Sequence, residues 1–181
     1  MLDKLDEMQP EFKERGWPEV KIGVGINTGV MSVGDMGSRF RRAYTVIGDA
    51  VNLGSRLEGL TKYYGVKLIV SETTAAGLDG MLLRCLDRVK VKGKNEPVTI
   101  YEPVGVASRV SGEQADEIRD SDQALEYYFA GDLDRAAAVF QALHDAVPEH
   151  GFYKLYLKRI AALQSQGIGD DWDGVFEHTS K

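Results

Sequence analysis

The spacing of apolar residues changes period several times along the chain. In "LDKLDEMQPEFKERG", Leu2, Leu5, Met8 and Phe12 recur as on one face of a helix, interrupted at Pro10 and ended at Gly16 with Pro18 just beyond. Strict alternation follows. Val20, Ile22, Val24 and Ile26 share a face in "VKIGVGIN", and after the turn residues Asn27-Thr28-Gly29 comes "GVMSVGDMG", an order that predicts an antiparallel hairpin. From Asp49 to Tyr64 the helical period returns: Ala50, Gly54, Leu57, Leu60 and Tyr64 form the buried stripe, and Asn52, Arg56 and Tyr63 point the other way. Then come a short apolar strand in "VKLIVSE", a brief helix in "TTAAGL" opened by a Ser-x-x-Thr cluster, a longer strand in "LLRCLDRVKV", and "PVTIYEPV" to close the sheet. This hairpin-rich order around one crossing helix predicts an α+β fold, a mostly antiparallel sheet with helices on one face.

From Ser111 the pattern shifts. "SGEQADEIRDSD" is polar and acidic and reads as a linker or a solvated helix start. The expected organisation is therefore a domain over 1–108, a linker over 109–120 and a helical segment over 121–181. In that last segment two helices break at Gly131-Asp132 and a third follows Pro148-Glu149-His150-Gly151, an order that resembles a tetratricopeptide helix pair plus the start of another unit. A single repeat cannot bury both faces, so it must lean on the first domain or on a partner. The tail "GIGDDWDGVFEHTSK" reads as irregular.

Length and charge limit the function classes. A chain of 181 residues can bury a substantial core. With 22 Lys and Arg against 28 Asp and Glu, the net charge of -6 argues against a dedicated nucleic-acid surface. The lone Cys85 sits in an apolar run and fits a core position in a reducing, cytoplasmic compartment. No apolar stretch is long enough to span a membrane, although an anchor upstream of Met1 would not be visible.

Gly23, Gly25, Gly29, Gly34 and Gly37 invite a phosphate-loop reading, but they match neither the dinucleotide fingerprint nor the phosphate-loop motif. Glycines within strands more simply mark a bulge or a close backbone approach. Asp49 suits the N-cap of the central helix, and Asp35 suits a turn. His144, His150 and His178 have no metal-like spacing. A polar pair such as Asn52 and Arg56, one turn apart, is ordinarily a solvated face.

The glycine-punctuated hairpin, then "YTVIGDAVNLGSRLE", then a β-run ending in "VKVKGKNEPVTIYE", closely resembles in that order the carboxy-terminal half of class III adenylate and guanylate cyclase catalytic domains. The resemblance covers about residues 1–105 and implies a ferredoxin-like palm. It implies that Asn52 orients the ribose and that Arg56 stabilises charge on the α-phosphate, both facing an active site shared across a dimer interface. An amide can donate and accept at ribose oxygens, and a guanidinium offers phosphate a planar fork. Thr45 matches the purine-reading position and favours adenine. Lys92, with Lys94 as second candidate, matches the lysine that grips the β- and γ-phosphates.

The same resemblance implies two divalent ions, Mg²⁺ or Mn²⁺, held by two aspartates on strands that would precede Met1. No matching segment occurs in this chain. The expectation is thus a truncated cyclase domain, the complete protein converting ATP to cyclic AMP and pyrophosphate as a homodimer, with this chain inactive alone. The alternative is a non-catalytic interaction module whose helical segment binds a partner.

Overall fold

The computed structural model describes residues 1–38, 41–90, 96–169 and 172–177, and the fold is α+β. Helix α1 (Leu2–Glu14) continues through Pro10 instead of breaking there. It ends in paired C-terminal hydrogen bonds, from the Trp17 N–H to the Phe12 carbonyl (2.8 Å) and from the Gly16 N–H to that of Lys13 (3.1 Å). Gly16, at φ 70°, supplies the left-handed residue that this cap requires.

A five-stranded sheet is ordered β1 (Val24–Ile26), β4 (Leu68–Ser71), β6 (Val98–Val106), β5 (Met81–Lys90), β7 (Phe176–Glu177). The outer pairs β1–β4 and β5–β7 are parallel, and the inner pairs are antiparallel. The "PVTIYEPV" strand β6 therefore lies in the middle of the sheet rather than closing it. The edge is taken by β7, in the tail expected to be irregular.

The expected hairpin is also redrawn. β1 pairs with β4, while β2 (Ser32–Ser38) pairs antiparallel with β3 (Arg41–Ile47) in a separate ribbon. The connection after β1 does not fold back because its turn residues are engaged elsewhere. The Asn27 amide donates to the Ala50 carbonyl at 2.9 Å, and the Thr28 hydroxyl meets that of Thr74 at 3.0 Å. Asp35 accordingly sits within β2, opposite Tyr44, and not in a turn.

After β3 come α2 (Asp49–Tyr64), β4 and a single turn of helix, α3 (Glu72–Ala75), capped by the Ser71 hydroxyl. Where the composition suggests a linker over 109–120, a short turn at Ala107–Arg109 leads into α4 (Gly112–Phe129). Its polar first half still buries Ile118 and Ser121 at helical spacing, which is why it docks instead of hanging free. Helices α5 (Leu133–Ala146) and α6 (Gly151–Gln166) complete a helical stack. One continuous apolar core runs from Leu53, Leu57 and Tyr64 through Ile69, Leu86 and Ile100 to Tyr128, Phe140, Phe152 and Tyr156. The helical segment thus leans on the sheet, its apolar side shared with β5 and α2.

Candidate functional site

The site is built on α2 and its approaches. β3 runs into α2 through Gly48, which is the N-cap at φ 152° and on which a Cβ would lie 3.3 Å from the Val30 carbonyl oxygen. Asp49 is thus the first helical residue and not the cap; its carboxylate sits at the positive end of the helix dipole. Leu53, Leu57, Leu60, Thr61 and Tyr64 are buried, whereas Asn52 and Arg56 are exposed. Ala50 and Gly54, expected on the buried stripe, are only half-buried, because they face β1 and its connection and leave the sheet to Leu53.

Two glycines of the first strand region hold the helix close. A Cβ on Gly25 would lie 2.2 Å from the Glu58 nitrogen and 2.3 Å from the Gly54 oxygen, and one on Gly23 would lie 2.1 Å from the Thr61 hydroxyl. These glycines serve close backbone approach. A Cβ on Gly54 itself would meet nothing nearer than 3.8 Å.

Thr45 is exposed on β3 opposite Gly34, on the strand that delivers the chain to α2. Thr45 therefore lies on the strand, and Asn52 and Arg56 on the helix, that meet at Gly48. Lys92 and Lys94 lie outside the described residues; β5 leads to them and ends at Lys90. The β2–β3 ribbon beside this junction is apolar yet open to solvent: Tyr44 is 75% exposed, Val33 54% and Ile47 51%. A two-stranded ribbon with such a surface has little to hold it in water on its own.

A pair of divalent ions needs clustered carboxylates. Among the described residues no group of three or more His, Cys, Asp or Glu side chains is placed to hold a metal ion. Among the same residues, no helix is long and apolar enough to cross a membrane.

One cluster near the site escapes the sequence reading. A β-bulge in β5 between Cys85 and Asp87 leaves Leu86 without a ladder partner and turns Asp87 inward. The freed Leu86 carbonyl accepts from the Tyr156 hydroxyl at 2.8 Å. Asp87, fully buried, accepts from Arg159 Nη1 at 2.6 Å and from the Tyr64 hydroxyl at 2.7 Å. The Arg159 guanidinium also donates to the hydroxyls of Tyr63 (3.1 Å) and Tyr64 (3.3 Å), and it lies 3.8 Å from the Phe176 ring centre. Burial pushes the Tyr64 phenol well above its usual range, with the Asp87 charge adding to the effect. The signal in the sequence is a charge, Arg159, placed on the apolar stripe of Phe152, Tyr156 and Ile160.

Comparison with known proteins places this geometry. The family described as "Adenylate and Guanylate cyclase catalytic domain" matches residues 1–102. An adenylate cyclase of Anabaena cylindrica is 43% identical over 106 residues, 56% of this chain and 21% of that protein. Adenylate cyclase 1 of Rhizobium meliloti is 37% identical over 114 residues, 62% of this chain and 17% of that protein. The chain thus spans about a fifth of the length of these curated relatives. The crystal structure of the adenylyl cyclase CyaB from P. aeruginosa superposes with a TM-score of 0.51 at 30% identity, covering 60% of this chain and 56% of that one. With a family match over more than half its length, on the segment that builds the α2 junction, the chain belongs to the adenylate and guanylate cyclase catalytic domain family.

Proposed function

We propose that the chain supplies the nucleotide-orienting half of an adenylate cyclase site, completed by a second protomer. The reaction converts ATP to 3′,5′-cyclic AMP. The ribose 3′-hydroxyl gives up its proton, its oxygen bonds to the α-phosphorus, and pyrophosphate leaves with the electron pair of the broken bond. Asn52 orients the ribose by donating to and accepting from its oxygens. Arg56 stabilises the charge that grows on the α-phosphate. Thr45 reads the purine and favours adenine, and Lys92, with Lys94 as the second candidate for the role, neutralises the β- and γ-phosphates. Mg²⁺ or Mn²⁺ is held by the complementary half-site, not by side chains of this chain.

The observation that carries this reading is the placement of Asn52 and Arg56 one turn apart on the exposed side of α2, directly after the Thr45 strand and beside an apolar ribbon open to a partner. The alternative, a module whose helical segment captures a partner, has less support because α4 and α6 already spend their apolar sides on β5 and α2.

The test is complementation. The purified chain, given ATP with Mg²⁺ or Mn²⁺, makes no cyclic AMP. Activity appears when it is mixed with a cyclase protomer that keeps the metal-binding aspartates but has Ala for its equivalent of Arg56. Arg56→Ala in this chain abolishes the rescue, about a hundredfold or more for a lost transition-state contact. Metal-dependent turnover by the isolated chain would overturn the half-site assignment. Running the rescued mixture with GTP in place of ATP tests the role of Thr45, and Thr45→Ala is expected to narrow the preference for ATP.

A further inference from the structure

Residues beyond 102 lie outside the family match, yet they reach the elements that handle phosphate in the reading above. Arg159 of α6 forms one hydrogen-bonded node with Tyr63 and Tyr64 of α2 and with Asp87 of β5. Tyr63 stands two turns along α2 from Arg56. Asp87 stands three residues before Lys90, where β5 leads toward Lys92. The node therefore joins the helix that carries Arg56 to the strand that leads to Lys92.

The tail closes over the same node. Phe176 stacks on Tyr63 with ring centres 5.8 Å apart and covers the Arg159 guanidinium. Through β7 its backbone pairs with Val89, and that of Glu177 pairs with Lys90. Trp172 anchors the approach by donating to the Tyr128 carbonyl at 3.2 Å. The planar fork of Arg159 bonds the carboxylate and two phenols at once, which a lysine cannot do.

We infer that Arg159 and Phe176 are positioning residues for the cyclase site, fixing the Arg56 helix against the end of β5 at Lys90 so that Arg56 is held in place for the triphosphate. The inference rests on the reading of Arg56 as a phosphate-binding group. It assigns the helical segment and tail a part in the site itself.

Arg159→Lys keeps a charge beside the buried Asp87 carboxylate but releases the tyrosines of α2. Titrated with ATP and with adenosine, the full chain carrying this substitution should lose about tenfold in ATP affinity, the size of a coupling through packed side chains. Adenosine affinity should stay unchanged. Phe176→Ala, which leaves the ion pair in place, carries the same expectation and serves if Arg159→Lys does not fold; Phe176→Tyr should restore ATP binding. Equal losses for ATP and adenosine, or no loss for either, would overturn the inference. Failure of the wild-type chain to bind ATP would instead sink the functional reading, and amide hydrogen exchange then decides the positioning. Arg159→Lys should speed exchange together at residues 52–56 and 87–90, and acceleration confined to 151–177 would show that the node positions nothing.

Discussion

Single residues set the distance between α2 and the sheet. Gly25 and Gly54 are both glycines facing one crossing, but only one of them is there for space. A Cβ at Gly25 collides with the backbone of α2, while one at Gly54 finds ordinary contact distances. Gly54→Ala should therefore stabilise the protein by about 0.5–1 kcal/mol, the helical advantage of alanine over glycine. Gly25→Ala should cost several times as much, and thermal melts of the two variants check both signs. An equal response would mean that the crossing is looser than the distances imply. The sequence alone could not separate these two glycines, because space at a crossing depends on which backbone lies opposite. It did expose Asn52 and Arg56, since a helical period locates the side that apolar residues avoid. It misplaced Ala50 and Gly54 because a stripe read from one helix cannot say that β1 covers part of its width. Asp87 was hidden for a similar reason: a bulge turns it inward, and alternation along a strand does not announce a bulge.

At the scale of elements, the contact between β5 and the helical segment is polar at its heart. Arg84, 2% exposed on β5, bonds Glu117 of α4 at 3.0 Å, approaches Glu102 of β6 at 3.4 Å and meets the His150 ring just before α6. Burial, with the Arg84 charge adding to it, lowers the His150 pKa to about 4. Nearby, burial raises Asp122 to about 6, partly offset by the Cys85 N–H that its carboxylate accepts at 3.0 Å. The two groups pull stability in opposite directions. Below about pH 6.5 the unfolded chain takes up a proton at His150 that the folded protein refuses until about pH 4, so this contribution is lost on acidification. Folded Asp122 keeps its proton to a higher pH than the unfolded chain does, so its contribution is lost as pH rises through about 6. Relative to wild type, His150→Gln should gain melting temperature between pH 6.5 and 4, and Asp122→Asn should lose it. Parallel curves would show that neither group titrates differently on folding. α2, α5, α6 and the long strand β5 were legible from their periods, whereas the first half of α4, read as a linker, and the hairpin partner were not. Asn27 and Thr28 look like turn residues but serve as side-chain anchors to α2 and α3, so the reversal falls one strand later, between β2 and β3.

On the scale of the whole molecule, the β2–β3 ribbon carries exposed apolar side chains on the strand that leads into α2, and the shared site proposed above calls for a second protomer. Sedimentation at rising concentration should show self-association or association with an aspartate-bearing protomer. Tyr44→Lys should weaken it by placing charge on the ribbon while leaving folding stability within about 0.5 kcal/mol, as for surface changes generally. A strict monomer that binds no such protomer would count against the shared site. Class and family could be read from the sequence because "YTVIGDAVNLGSRLE" condenses strand, turn and helix into one segment. The merging of the helical stack with the sheet could not, since it depends on contacts between residues far apart in the chain. The parallel pairing of β7 with β5 bridges nearly half the chain's length. During synthesis the outer edge of β5 at Val89 and Lys90 therefore emerges long before the strand that covers it, and it stays open while α4, α5 and α6 are still being made. Chains stalled in that interval present a bare edge to one another, so aggregation during translation, more than the stability of the finished protein, is where loss of the "DWDGVF" tail would first be felt.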